Sequence, residues 1–327
     1  MRILFSDEHV ATNTMHGISR MSRCVIRSLM HYGGHECAPL ADDVNDGDVL
    51  LLPANGLVGV ANERHDMLVA CDIPIASIIY DIIPYVFNKH KEARYISALR
   101  RTLECSDIII TISHHSAKDL KQHLGYDKPI HVIHPGVPFI PPEQSAEHYY
   151  HHDGRSEVIH PDDYFLSVGG YGERKGHTEL LEAILETGNQ LIMVGVPFYY
   201  DERTRKLAGE AINRGLLVEL CGVPDDTLIS LYQYAQALVY PTKYEGFGLP
   251  IIEAMSCGCP VITTDMTATP EAAGDAALYI EPTTERIVWA MERVSRFRHS
   301  LTNLGFEQVK KFDWQKIAAD YEHALRV

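Results

Sequence analysis

The chain predicts an α/β architecture of two doubly wound parallel-sheet domains, one after the other. Short, nearly continuous apolar runs of strand length alternate with helical patterns, as expected of parallel strands buried on both faces. The alternation comes in two blocks, separated by the polar, proline- and histidine-rich stretch PFIPPEQSAEHYYHHDGRSEVIHPDD. At 327 residues the chain exceeds one ordinary domain and fits two of about 150 to 165 residues, each able to bury its own core. The expected division is a first domain over 1–145, a linker or loop over 146–163, a second domain over 164–312 and a final helix within 313–327.

In the first block, Arg2 to Phe5 reads as a strand. A helix over Ile18 to Tyr32 follows, because Ile18, Met21, Val25, Ile26 and Leu29 share one face at helical spacing. Strands are then expected at Val49 to Leu52, Ile75 to Asp81, Ile108 to Ser113 and His131 to Ile133, with helices at Lys89 to Cys105 and Ser116 to Leu124. The second block has strands at Tyr164 to Val168, Gln190 to Gly195, Leu217 to Gly222, Ala237 to Pro241, Pro260 to Asp265 and Ala277 to Ile280, with helices between. After Pro282 the pattern is mostly helical and ends in Trp314 to Leu325.

Composition narrows the function. A net charge of −15 argues against nucleic acid, which needs a broad basic face, so any phosphate site must be local. Seven cysteines scattered from Cys24 to Cys259 make no disulfide framework, and Cys257-Gly258-Cys259 lacks the spacer of a zinc or redox pair. Met1 to Asp7 leads straight into a strand, and no apolar run reaches the roughly 18 residues of a membrane span. A reducing, cytoplasmic setting is expected.

The segment YEGFGLPIIEAMSCGCPVITTD carries the main chemical signal. Gly246 and Gly248 let the backbone after the strand turn and approach a ligand, which exposes amide hydrogens. Pro250 suits a first helical turn, Gly258 a stop, and Pro260 cannot continue the helix, so a helix of roughly eight residues and about 12 Å is implied. Its free N–H groups and positive dipole end make an anion site. Glu245 and Glu253 beside that site would be repulsive unless hydroxyls hold them off the anion, and sugar rings supply hydroxyls. The plainer alternative is that Glu253 only complements the dipole and Glu245 is solvated.

A second cluster, YFLSVGGYGERKGHTELL, repeats the order of strand, glycine turn and helix. Arg174 and Lys175 stand where a bound diphosphate needs positive charge. Gly170, Gly172 and Gly176 nearly spell a dinucleotide fingerprint, but the last glycine is one residue late and the cation pair interrupts it. A third glycine turn, His16-Gly17-Ile18-Ser19-Arg20, opens the first long helix.

These segments together resemble the retaining glycosyltransferases of family 4, in which an E, seven residues and a second E surround a GFGLP-type loop. The likeness extends through EAMSCGCPVITTD and TPEAAGDAALYIEP, and through a strand followed by VG and an RKG triplet. It implies the GT-B fold: two Rossmann-like doubly wound domains facing each other across a cleft, with the last helix returning to the first domain. It implies that Glu245 binds donor-sugar hydroxyls and that the amides of Gly246, Phe247, Gly248 and Leu249 meet sugar and phosphate. Glu253 would bind the ribose, Pro270-Glu271 would cap the site, and Arg174 and Lys175 would hold the phosphates near Gly170. Gly17 matches the first-domain loop over the donor phosphate, with Arg20 either near the phosphates or acceptor or simply solvated. In IIYDIIP the family's histidine is replaced by Tyr80; Asp81 follows as a cleft residue or a cap. Ser113 and Lys118 are further cleft candidates, and His134-Pro135-Gly136-Val137 matches the turn before the linker.

The activity so implied is transfer of a hexose, first expected to be mannose from GDP-mannose, to a glycan, glycolipid or glycoprotein hydroxyl with retention. No cofactor and no metal are expected, and the chain would act as a monomer or homodimer. A nucleotide-sugar epimerase of the same fold and a non-catalytic nucleotide-sugar-binding protein are the alternatives. Other signals have plainer explanations: Asp46-Gly47-Asp48 as a polar turn rather than a metal motif, and His148, His151 and His152 as a polar loop rather than a metal site. Lys89, Lys91, Arg94, Arg100 and Arg101 form a basic helical patch, read as a solvated face or a weak peripheral contact with an anionic membrane.

Overall fold

The computed structural model describes residues 2–5, 17–39, 47–52, 73–87, 92–138, 149–152, 155–158, 163–196 and 201–326. The chain divides into two compact units, Met1–Pro138 with Phe312–Val327, and Phe139–Lys311.

In the first unit the chain runs β1 (Arg2–Phe5), α1 (Gly17–His31), β2 (Glu36–Pro39), β3 (Val49–Leu52), β4 (Ile75–Ile79), α2 (Ile83–Phe87), α3 (Glu92–Cys105), β5 (Ile108–Thr111), α4 (His114–Leu124) and β6 (His131–Val132). The strands form one sheet in the order β2-β1-β3-β4-β5-β6, and every pairing is parallel. Leu4, Leu50, Leu52 and Ile75 pack on one side of the core, and Ile79, Ile82, Leu99, Leu103, Ile109 and Leu120 on another. Strand β2 escapes the sequence pattern because it is an edge strand: its residues ECAP are exposed or half-buried, so no apolar run marks them.

The second unit runs β7 (Tyr149–His152), β8 (Arg155–Val158), β9 (Tyr164–Val168), a 3-10 turn (Glu173–Lys175), α5 (His177–Thr187), β10 (Gln190–Val194), α6 (Glu202–Asn213), β11 (Leu217–Leu220), α7 (Asp225–Tyr234), β12 (Leu238–Tyr240), α8 (Leu249–Ser256), β13 (Val261–Thr264), α9 (Thr269–Ala273), β14 (Ala277–Ile280), α10 (Thr284–Met291) and α11 (Val294–Val309). Strands β7 and β8 pair as a short antiparallel hairpin inside the stretch expected to be linker or loop. The strand sequences YYHH and RSEV carry no apolar alternation by which to detect that hairpin. The main sheet is parallel in the order β11-β10-β9-β12-β13-β14. Counting from β9, that is the doubly wound order 3-2-1-4-5-6, which reverses direction between β9 and β12. In this topology the connections after those two strands pass to opposite faces of the sheet.

The C-terminal helix α12 (Trp314–Ala324) belongs to the first unit and packs against α1. Asp313 caps it by accepting from the amides of Gln315 and Lys316. Trp314 Nε1 donates to the Val137 carbonyl at 2.7 Å, and the indole lies so close to Gly136 that a Cβ there would stand 2.5 Å from it. Trp314→Ala therefore removes a large contact and a hydrogen bond at once, and should destabilise the first unit by about 3 kcal/mol. Limited proteolysis checks this: the variant should lose α12 early, whereas an unchanged digestion pattern would mean the helix is held by other contacts.

Candidate functional site

The site is built where the sheet of the second unit reverses order. After β9 the chain turns through Gly169 to Gly172 into the 3-10 turn carrying Arg174 and Lys175. Gly176 ends the turn at φ 69, and a Cβ there would sit 2.3 Å from the Pro241 carbonyl, so only glycine lets this turn lie against the end of β12. The contact is sealed by the Lys243 amide, which donates to the Arg174 carbonyl at 2.6 Å.

This closeness brings together residues about 70 apart in sequence. Glu245 is 6% exposed, and its Oε1 receives Lys175 Nζ at 2.6 Å, Arg174 Nη1 at 2.9 Å, Tyr240 OH at 2.9 Å and Thr242 Oγ1 at 2.8 Å. None of these four bonds goes to Oε2. Burial pushes the Glu245 carboxyl up, but Lys175 and Arg174 outweigh it and hold the group down at about 2. Tyr240 is pushed well above its ordinary range by burial and then by the Glu245 charge, so it stays a neutral donor. The alternative of Glu245 as a solvated loop residue falls with this burial.

The loop then passes Gly246 and the buried Phe247 to Gly248, whose φ of 108 starts α8. No side chain caps α8, Pro250 lies in its first turn, and no acidic residue sits there. Pro250 has no N–H and the Ile251 amide already donates to the Gly248 carbonyl at 2.9 Å, so what the helix start presents is chiefly its positive dipole end. Glu253 lies further along α8, 5% exposed, and accepts from Tyr232 OH at 2.8 Å. It is thus not a surface complement to the dipole. Tyr232, Tyr240 and Thr242 are members of the site that the sequence reading missed; they lie in a helix and at a strand end, where apolar neighbours disguise a hydroxyl as core.

A third loop completes the arrangement. Thr267 stands at φ 54, the only non-glycine residue with positive φ among those described. Such a backbone costs of order 1–3 kcal/mol for a β-branched residue. Its Oγ1 accepts from the Glu245 amide at 2.9 Å. Thr264 and Thr269 tie the same loop down through their hydroxyls, Thr264 to the Thr242 carbonyl and Thr269 to the Thr264 carbonyl. Pro270 and Glu271 follow in the first turn of α9.

The first unit treats its candidates differently. Gly17 opens α1, while the side chains of residues 17–20, Arg20 included, lie outside the described residues. Tyr80, at the position of the family's histidine, is 3% exposed, and its hydroxyl meets Ser22 Oγ at 3.3 Å; burial first, with a smaller push from Cys24, raises its pKa. It is buried among the core residues of the first unit. Asp81 accepts from the Ile83 amide at 2.9 Å and so caps α2, which is the capping alternative read in the sequence. Ser113 likewise caps α4, and Lys118 is exposed on that helix. Asp48 is buried and takes two hydrogen bonds from Arg2, at 2.7 and 3.3 Å, as a structural turn residue. Asp46, His148, Lys89 and Lys91, and the side chains of His151, His152 and Arg94, lie outside the described residues.

His177 offers a check on the electrostatics. Burial first, then Lys175 and Arg174, push its pKa from 6.5 down to about 3, and its Nδ1 accepts from the Gly172 amide at 3.4 Å. A base whose folded pKa is depressed binds protons more readily when unfolded. Stability is therefore lost as pH falls from about 6.5 towards 3, at up to about 1.4 kcal/mol per pH unit. His177→Gln should flatten that acid-side decline in thermal unfolding measured from pH 7 to 4; parallel profiles would show that His177 is not buried neutral.

Two family models match the chain: Glycosyltransferase Family 4 over residues 58–139 and Glycosyl transferases group 1 over residues 153–305. O-antigen chain mannosyltransferase B of Escherichia coli is 35% identical over 175 residues, which is 50% of this chain and 46% of that protein. The serotype-specific mannosyltransferase WbdA of Escherichia coli is 26% identical over 262 residues, 74% of this chain and 32% of that protein. The chain thus spans less than half the length of these relatives. Among solved structures, a sucrose-phosphate synthase from Thermosynechococcus elongatus aligns over 99% of this chain and 98% of its own with a TM-score of 0.72 at 16% identity. A glycosyltransferase from Rickettsia africae aligns over 99% of both chains with a TM-score of 0.69 at 14% identity. With two such sheets and both family models along one sequence, the chain belongs to the family 4 glycosyltransferases of GT-B fold.

Proposed function

We propose that the second unit binds a nucleotide-diphosphate sugar and that the chain transfers the hexose, with retention at the anomeric carbon, to a hydroxyl of a glycan, glycolipid or glycoprotein. GDP-mannose is the favoured donor, a choice supported by the mannosyltransferases among its relatives. The observation that carries the reading is the arrangement of Glu245. Its Oε1 is occupied by four protein donors, none of which bonds Oε2, and the loop after it leads into α8, whose start has no side-chain cap. A fixed carboxylate oxygen suits sugar hydroxyls, and the positive end of the α8 dipole suits a diphosphate.

Arg174 and Lys175 bring two positive charges to one carboxylate, so the cluster keeps a net positive charge. As the bond from sugar to diphosphate breaks, negative charge gathers on the leaving oxygen, and these cations and the positive end of the α8 dipole stabilise it. One preorganised donor of this kind is worth roughly 3 to 4 kcal/mol. Charge stabilisation is assigned to these groups rather than to a metal ion. The departing phosphate oxygen takes the acceptor's proton on the same sugar face, because no carboxylate is assigned as a nucleophile. Glu253 is placed at the ribose hydroxyls, where its contact with Tyr232 fixes its direction.

Calorimetric titration with GDP-mannose, UDP-glucose and related donors tests the reading, since it identifies base and sugar together. Glu253→Ala should weaken nucleotide binding by about tenfold. Glu245→Gln should lower turnover by about a hundredfold. If neither substitution changes binding or turnover, the donor site lies elsewhere, and a trapped covalent glycosyl-carboxylate would overturn the mechanism.

A further inference from the structure

We infer that Thr267 is a positioning residue for Glu245, acting through the main chain rather than on substrate; its catalytic consequence rests on the donor-site reading above, but its structural content does not. Glu245 is held from two directions. Its carboxylate is fixed by Lys175, Arg174, Tyr240 and Thr242, and its amide is fixed by the Thr267 hydroxyl at 2.9 Å. The second hold comes from a different loop, the connection from β13 to α9. That loop is anchored by the Thr264 hydroxyl on the Thr242 carbonyl and by the Thr269 hydroxyl on the Thr264 and Met266 carbonyls, both at 2.6 Å.

The residue type is informative. At φ 54 a glycine or asparagine would adopt the turn with less strain than a β-branched threonine. Glycine, however, would place no hydroxyl opposite the Glu245 amide. The strained backbone is thus coupled to one hydrogen bond, and that bond sets the peptide from which the Glu245 side chain departs. Losing it leaves the peptide between Tyr244 and Glu245 held on its carbonyl side alone, by Arg174 Nη1 at 2.8 Å, so the direction in which the Glu245 side chain departs is less fixed.

The test compares Thr267→Val, which keeps the shape and lacks an acceptor, Thr267→Gly, which lacks both acceptor and strain, and Thr267→Ser, which keeps the hydroxyl. Amide hydrogen exchange at Glu245 should be at least about tenfold faster in the valine and glycine variants and close to wild type in the serine variant. With GDP-mannose as the probe, release of GDP should show kcat lowered about tenfold in the valine and glycine variants at a nearly constant KM, with serine restoring it. Unchanged exchange in both the valine and glycine variants overturns the inference, as does an equal kcat loss in the serine variant. If the wild-type chain releases no GDP from any donor, the donor reading fails, while the exchange measurement still decides the role of Thr267. The glycine variant keeps the test available should valine disturb folding.

Discussion

One buried carboxylate sets the terms for the second unit. Taking Glu245 out of water costs several kcal/mol unless its charge is matched, and the match is supplied by Lys175 and Arg174 from the turn after β9. Removing either side alone would leave an uncompensated charge in a buried place. The pair therefore constrains everything that brings it together. Gly176 has to be glycine so that the turn can reach Pro241, and Tyr240 and Thr242 occupy the end of β12 with their hydroxyls aimed at the same oxygen. Parallel pairing of β9 with β12 places the two loops side by side.

The same constraint links fold to chemistry. In a doubly wound sheet the only place where neighbouring loops part is where the strand order reverses, and here that is between β9 and β12. A helix starting beside that point, as α8 does, adds a positive dipole end. The cations keep Glu245 ionised in that place. His177, kept neutral by burial beside them, adds no further charge to the cluster.

Much of this was legible in the sequence, and the reasons differ by element. Strands buried on both faces, such as RILF, VLLL, IIIT and VITT, show as apolar runs, so both sheets were readable; only their ends shifted by a residue or two, where polar residues leave the ladder. Edge strand β2 and the β7–β8 hairpin have no such run and stayed hidden. Glycines with positive φ at 176 and 248 and the proline at 250 announced both loops of the site. Which groups meet was not legible, because Glu245 and Lys175 are far apart in sequence and no local period relates them. The sequence reading set Glu245 towards a sugar and Lys175 towards phosphate; in the structure they bind each other first. Tyr80 and Asp81 show the opposite limit, since a motif position carries no record that one side chain is buried against Ser22 and the other caps a helix.

Glu245 is thus an ionised carboxylate clasped by cations in a buried site. Carbon-13 NMR titration of its carboxyl group tests this most directly, with Lys175→Met as the comparison. The wild-type group should show no titration between pH 7 and about 3, consistent with a pKa held near 2, and Lys175→Met should raise the midpoint clearly. A midpoint near the ordinary 4.5 in the wild-type chain, unmoved by Lys175→Met, would contradict the account.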